Sequence, residues 1–202
     1  MGSKETEVLD ILEWPHPILR SPSALVTDFD EELKLHINMM WQTMYEAPGV
    51  GLAAPQIGDQ RRIFVMDCGA RDEQARQFVC INPKLHTLRG EVESTEGCLS
   101  FPGLSVSVPR AEQLTLRAQD LEGVWFEVHL DGLEAICAQH EFDHLEGRSF
   151  LDLLGPLEKV ATLQSYIEQL QTMDHPNALE VKQRAEIVMM EFVKSAIVGH
   201  SS

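Results

Sequence analysis

Leu33, Ile37, Met40, Trp41 and Met44 recur at three- and four-residue spacing, the pattern of one buried helix face. Thr27, with Asp30 three residues on, reads as the N-cap of that helix. Pro48-Gly49 reads as its stop. Ahead of it, Pro15, Pro17 and Pro22 break any helix, so residues 8–26 are expected to form an extended arm. Ile11, Leu12, Trp14, Ile18 and Leu19 of that arm can lie on a core. The period then changes. Stretches 62–66, 78–81, 113–118 and 124–128 are short runs rich in β-branched and aromatic residues between turn residues, and they read as strands. Residues 120–123 (Asp-Leu-Glu-Gly) read as the hairpin turn joining the last two.

Helical spacing returns after Asp131, a good N-cap, and continues to Gly147. Leu133, Ile136, Cys137, His140 and His144 share one face there, so that face is expected to point inward. A third helix is expected over 156–172, a breaker over 173–177 and a fourth helix over 178–198. Val181, Ala185, Val188, Met189, Phe192, Val193 and Ala196 form the apolar side of the fourth. Short strands flanked by helices point to an α+β fold rather than a doubly wound sheet. The expected architecture packs short antiparallel strands around a central helix, with an additional C-terminal helical segment. The 202 residues amount to one domain. Residues 1–172 are expected to form the main unit. Residues 173–202 are expected to be an extension packed on the core or at an interface.

Composition is ordinary, 44% hydrophobic and 24% charged, which excludes a disordered or collagen-like chain. No apolar run approaches the ~20 residues that cross a bilayer. Residues 1–7 lack a signal core, so a soluble cytoplasmic protein is expected. Thirty-two acidic residues against sixteen basic give a net charge of −16. Such a surface repels phosphate backbones and anionic lipid, which argues against DNA and membranes as partners. Cys68, Cys80, Cys98 and Cys137 are widely spaced with no CxxC pair and read as reduced thiols.

The strongest chemical signal is His140-Glu141-Phe142-Asp143-His144. Histidines four apart lie one helical turn apart, so both imidazoles can reach one cation, and the Glu between them can act as general acid/base on a bound water. A catalytic cation needs a third protein ligand. Phe150 stands where one known arrangement has a third histidine and cannot ligate. Glu158 and Glu168 lie at the downstream distance of another. Cys98, in Glu96-Gly97-Cys98-Leu99-Ser100, is a further choice. There, Gly97 permits unusual backbone geometry, and Pro102 is expected to end regular strand pairing. A non-catalytic metal site is the alternative of a different class. Residues 49–58 (GVGLAAPQIG) read as a turn after a helix, where Gly49 and Gly51 would admit another backbone. They lack the GK[ST] of a phosphate loop.

Taken together, Gly49-Val50-Gly51-Leu52-Ala53-Ala54-Pro55-Gln56, Glu96-Gly97-Cys98-Leu99-Ser100 and Gln139-His140-Glu141-Phe142-Asp143-His144 resemble, in order and spacing, the three motifs of the peptide deformylases. The resemblance extends over roughly residues 8–170. It implies a metal-dependent amide hydrolase that removes the formyl group from N-formylmethionyl nascent polypeptides. Cys98, His140 and His144 would hold one divalent ion, with water as fourth ligand. Iron(II) is the native ion the family implies; zinc, nickel or cobalt can substitute. Glu141 would take the water's proton and deliver it to the leaving amine. The Leu99 N–H and the Gln56 amide would receive the charge developing on the formyl oxygen. The peptide would extend near Val50, Gly51 and Gly97, with Leu133, Ile136 and Cys137 walling the methionine pocket. Work on nascent chains implies transient proximity to the ribosome. Lys182, Arg184 and Lys194 face four acidic residues in the C-terminal extension, which argues against that segment as a ribosome dock. The sequence carries no signal for an oligomeric state.

Overall fold

The computed structural model describes residues 8–69, 76–174 and 176–198. The periodicity around residue 40 folds as helix α1 (Glu31–Glu46), with Leu33, Ile37, Met40 and Met44 fully buried. Asp30 is its N-cap, in place of the expected Thr27. Asp30 Oδ1 accepts the Leu33 amide at 2.9 Å, while the Thr27 hydroxyl turns to Asp28. An extended cap residue must sit directly before the first helical residue for its side chain to reach that amide.

Among the described residues, seven strands follow in two antiparallel sheets. β1 (Gly51–Ala53), β2 (Ile63–Asp67), β3 (Gln77–Arg89), β6 (Gln113–Gln119) and β7 (Trp125–Asp131) form a five-stranded sheet in the order β1-β2-β3-β6-β7. β4 (Val92–Cys98) and β5 (Phe101–Arg110) form a separate hairpin. Three of these strands replace other expectations. Gly51–Ala53 is an edge strand rather than a turn, pairing Gly51 with Met66. The Cys98 segment ends a strand, and Pro102 lies inside β5. It falls where the register skips from Gly97↔Ser105 to Cys98↔Phe101, a bulge that leaves proline outside the regular ladder.

β3 runs thirteen residues, far beyond the expected 78–81. Its first half pairs with β2 and its second with β6, and the register shifts after Ile81. Asn82 sits at the shift with φ 52°, and its amide bonds to Val26 and Gln119. The turn at 120–123 joins β6 to β7 as expected, closed by the Gly123 amide on the Asp120 carbonyl.

Helix α2 (Gly132–Leu145) begins after Asp131, although that side chain makes no capping bond. Ala135, Cys137, Ala138 and Leu145 pack against Phe64, Met66, Leu114, Leu116 and Leu130 of the large sheet. The histidines of α2 turn toward the β4–β5 hairpin, so the helix is held between the two sheets. α3 (Pro156–Leu170) and α4 (Ala178–Val198) close a second core with the arm and β5. Leu163, Tyr166, Ile167 and Leu170 of α3 meet Val181, Ala185 and Val188 of α4, alongside Trp14, Phe101 and Phe150. Val193 is exposed, unlike the expectation, and the Ala196 side chain lies outside the described residues. Among the described residues, no helix is long and apolar enough to cross a membrane.

Candidate active site

One turn of α2 separates His140 from His144, and their rings stand 5.1 Å apart, nearly edge to face. The bulge at the end of β4 aims Cys98 at them, with its Sγ 3.2 Å from His144 Nε2. The ligand atoms of Cys98, His140 and His144 all lie within 4.8 Å of one another. Glu158 and Glu168 are exposed and stand outside this cluster. Thiolate and imidazole are the donor types that suit a borderline transition-metal dication.

The histidines are held from behind. His140 Nδ1 lies 2.8 Å from Glu96 Oε2. That bond assigns the Nδ1 proton and leaves Nε2 free as a metal donor. Glu96 also accepts two bonds from Arg110, at 2.8 and 2.9 Å. Arg110 reaches Asp143 at 2.6 Å through its third nitrogen. Gln139 ties the same helix to the β5–β6 connection, accepting the Ala111 amide and donating to the Ala111 and Ala135 carbonyls. Sequence reasoning gave no role to Glu96, Arg110, Gln139 or Asp143. The available signal was charged and amide side chains adjoining an inward-facing helix, since a buried charge needs a partner.

Electrostatics follow from this burial. Burial raises Glu96, but hydrogen bonds from His140 and Arg110 outweigh it and hold its carboxyl below the usual range. Burial lowers His140, yet Cys98, Glu96 and Glu141 together hold it well above the ordinary histidine value. His144 is pushed well below that value, first by burial and then by His140. Glu141 is pushed up to about 7, chiefly by burial.

Glu141 Oε2 and His144 Nδ1 are buried with no protein partner. An orphaned carboxylate oxygen beside two imidazoles and a thiol fits a site that holds a cation and its water. Gln56 is fixed close by. Its Oε1 accepts the Ala53 amide at 2.9 Å, and its Nε2 faces Ser100 Oγ at 3.2 Å and Cys98 Sγ at 3.7 Å. Gly51 makes room for the Glu141 side chain rather than for a second backbone, because a β-carbon there would collide with it.

A cavity of about 490 Å³ opens over this cluster. Every site residue expected from the sequence lines it except His144, which is buried in contact with Cys98. Leu133 and Val50 are 53% and 43% exposed, so they form its rim and not its floor. Ile136 and Cys137 lie deeper. Ser94, Thr95, Phe101, Leu104 and Ser105 also line it, a contribution from the hairpin that the sequence did not suggest.

The family model described as polypeptide deformylase matches residues 8–160. A peptide deformylase of Alkalilimnicola ehrlichii is 44% identical over 153 residues, which is 75% of this chain and 85% of the relative. Among solved structures, a peptide deformylase from Legionella pneumophila superposes with a TM-score of 0.75 at 42% identity, covering 84% of this chain and 100% of that one. A peptide deformylase from Synechococcus elongatus, in complex with actinonin, gives 0.73 at 41% identity, covering 78% and 86%.

Proposed function

The chain belongs to the peptide deformylase family, and from that membership we propose that it strips the formyl group from N-formylmethionyl polypeptides with a divalent cation held by Cys98, His140 and His144. The observation that carries this reading is the convergence of those three ligand atoms, from β4 and α2, within 4.8 Å of one another. A dication in that site would polarise the formyl oxygen and lower the pKa of a coordinated water. Iron(II) is the ion assigned here as native, with zinc, nickel and cobalt as substitutes.

Glu141 does the proton work. Burial pushes its carboxyl up to about 7 in the cation-free fold, and it lines the cavity over the ligand cluster, so it can accept the proton of the attacking water and return it to the leaving amine. The Gln56 amide, clamped through its own oxygen by Ala53, donates to the developing oxyanion with the Leu99 N–H. A formyl carbon carries only hydrogen, so the narrow space between these groups admits it and rejects larger acyl groups. The substrate backbone adds as an extended strand beside Val50, Gly51 and Gly97. Its methionine side chain enters between Leu133, Ile136 and Cys137. We place this work in the cytoplasm, on chains emerging from the ribosome. The catalytic unit is residues 1–172, with the extension 173–202 serving to cover the core.

Turnover of a formyl-Met-Ala-Ser peptide under anaerobic conditions tests the proposal. Activity should fall with chelator, return with iron(II) or nickel(II), and be absent on the acetylated peptide. Actinonin, bound by the Synechococcus relative, should compete with the substrate. Inactivity of fully metal-loaded protein on the formyl peptide would overturn it.

A further inference from the structure

Outside the ligand set, two thiols meet where the end of β2 touches the first turns of α2. Cys68 follows the last residue of β2 and is partly exposed, while Cys137 is buried and lines the cavity. Cys68 Sγ stands 3.9 Å from the Leu133 carbonyl oxygen. Cys137 Sγ stands 3.7 Å from the Val50 carbonyl oxygen, which also accepts the Asp67 amide at 2.8 Å. Each thiol therefore reaches the segment that carries the other's surroundings. Cys68 packs against the apolar cluster that contains Cys137, and the Leu133 carbonyl it approaches lies one helical turn before Cys137.

We propose that Cys68 and Cys137 form an oxidative modification site at which hydrogen peroxide closes a disulfide that reshapes the cavity wall. The effect on the methionine pocket rests on the function proposed above. Partial exposure makes Cys68 the thiol that meets the oxidant. Its sulfur attacks one peroxide oxygen, the O–O bond breaks, and water leaves a sulfenic acid. Cys137 Sγ then attacks that sulfur, and the hydroxyl departs with the Cys137 proton as a second water. Two thiols are oxidised and one peroxide is reduced. Cys137 holds its proton strongly, through the neighbouring Cys68 thiol and through burial, which suits the resolving role better than the sensing one. An S–S bond holds the two sulfurs ~2 Å apart. That constraint changes how Cys137 packs against Val50 and Gly51, where the substrate backbone is expected to lie.

The test uses nickel-loaded enzyme, treated with hydrogen peroxide beside a Cys68→Ser variant. Turnover of the formyl peptide is measured before treatment; inactivity there would refute the proposed function and leave the thiol chemistry to be decided by mass. The expected product has lost two hydrogens and yields a non-reduced peptide joining Cys68 to Cys137. Its KM for the formyl peptide rises several-fold and is restored by dithiothreitol. Cys68→Ser should show the parent's KM before treatment and keep it afterwards. Absence of the cross-link, a Cys80–Cys137 bond in its place, or equal loss in Cys68→Ser through oxidation of Cys98 would overturn the site. A cross-link with unchanged KM would overturn the pocket effect.

Discussion

Gly51 leaves the space that the Glu141 carboxyl group fills: a β-carbon there would stand 2.8 Å from Glu141 Cδ and 2.8 Å from Cys137 Sγ. Edge strand β1 thus presses bare backbone against the one carboxylate assigned to proton transfer. Gly51→Ala must displace that carboxylate or the strand. We expect a stability loss of about 1–3 kcal/mol by denaturant unfolding. We also expect kcat to fall more than tenfold, about 1.4 kcal/mol of barrier. Wild-type kcat at full metal content would refute the contact.

Removing the charge of Glu141 separates metal binding from chemistry. Glu141→Gln keeps the side chain's shape and leaves Cys98, His140 and His144 untouched. Metal content should stay at the wild-type level by elemental analysis, with kcat down by ~10²–10⁴. A variant near the parent rate would remove Glu141 from the mechanism.

The same residue makes stability depend on pH in protein stripped of metal. Its carboxyl titrates near 7 in the fold, against 4.5 as the ordinary value, because burial disfavours the charge. The folded state therefore holds the proton more tightly. The stability this contributes is fully present below pH 4.5 and is lost as pH rises through 7. Glu141→Gln has no such loss. Its unfolding free energy relative to the parent should improve by about 3 kcal/mol between acid and mildly alkaline pH. Parallel pH profiles for the two proteins would contradict the buried acid.

Glu96 orients His140 and stands outside the cluster of Cys98, His140 and His144. Its carboxylate accepts from His140 Nδ1 at 2.8 Å while Arg110 grips it with two bonds. Glu96→Gln should weaken metal affinity by about 10–100-fold in chelator competition. Excess metal should then restore most of kcat. A kcat that stays low at saturating metal would assign Glu96 a direct part in the reaction.

Leu170 is buried where α3 meets α4 and does not line the cavity over Cys98 and Glu141. Leu170→Ala should cost about 2–5 kcal/mol of unfolding free energy. At low temperature kcat/KM for the formyl peptide should match the parent. A matching loss of activity would show that the C-terminal core shapes the site.

Much of this was legible in the chain. The three-four spacing of α1, α2 and α4, the turn at 120–123 and the His-x-x-x-His pair are local signals, set by periods of the backbone itself. The inward face expected for Leu133 turns out to be the cavity rim, because spacing assigns a face but not a depth on that face. β3 was read as four residues, since Pro83, Lys84, His86 and Thr87 break the apolar alternation. It extends because two different partner strands pair with its two halves.

The sequence by itself determined which donors exist, that two histidines share a helical turn, and that a carboxylate stands between them. Tertiary structure decided that Cys98, and not Glu158 or Glu168, stands beside the two histidines, because a bulge far upstream of His140 sets where the thiol points. It also decided that Glu96, Arg110 and Asp143 form one buried network behind the histidines. Spacing along the chain encodes contacts within a helix or strand. The energy of a buried charge depends on partners brought from elsewhere, and those are fixed only when the sheets close around α2.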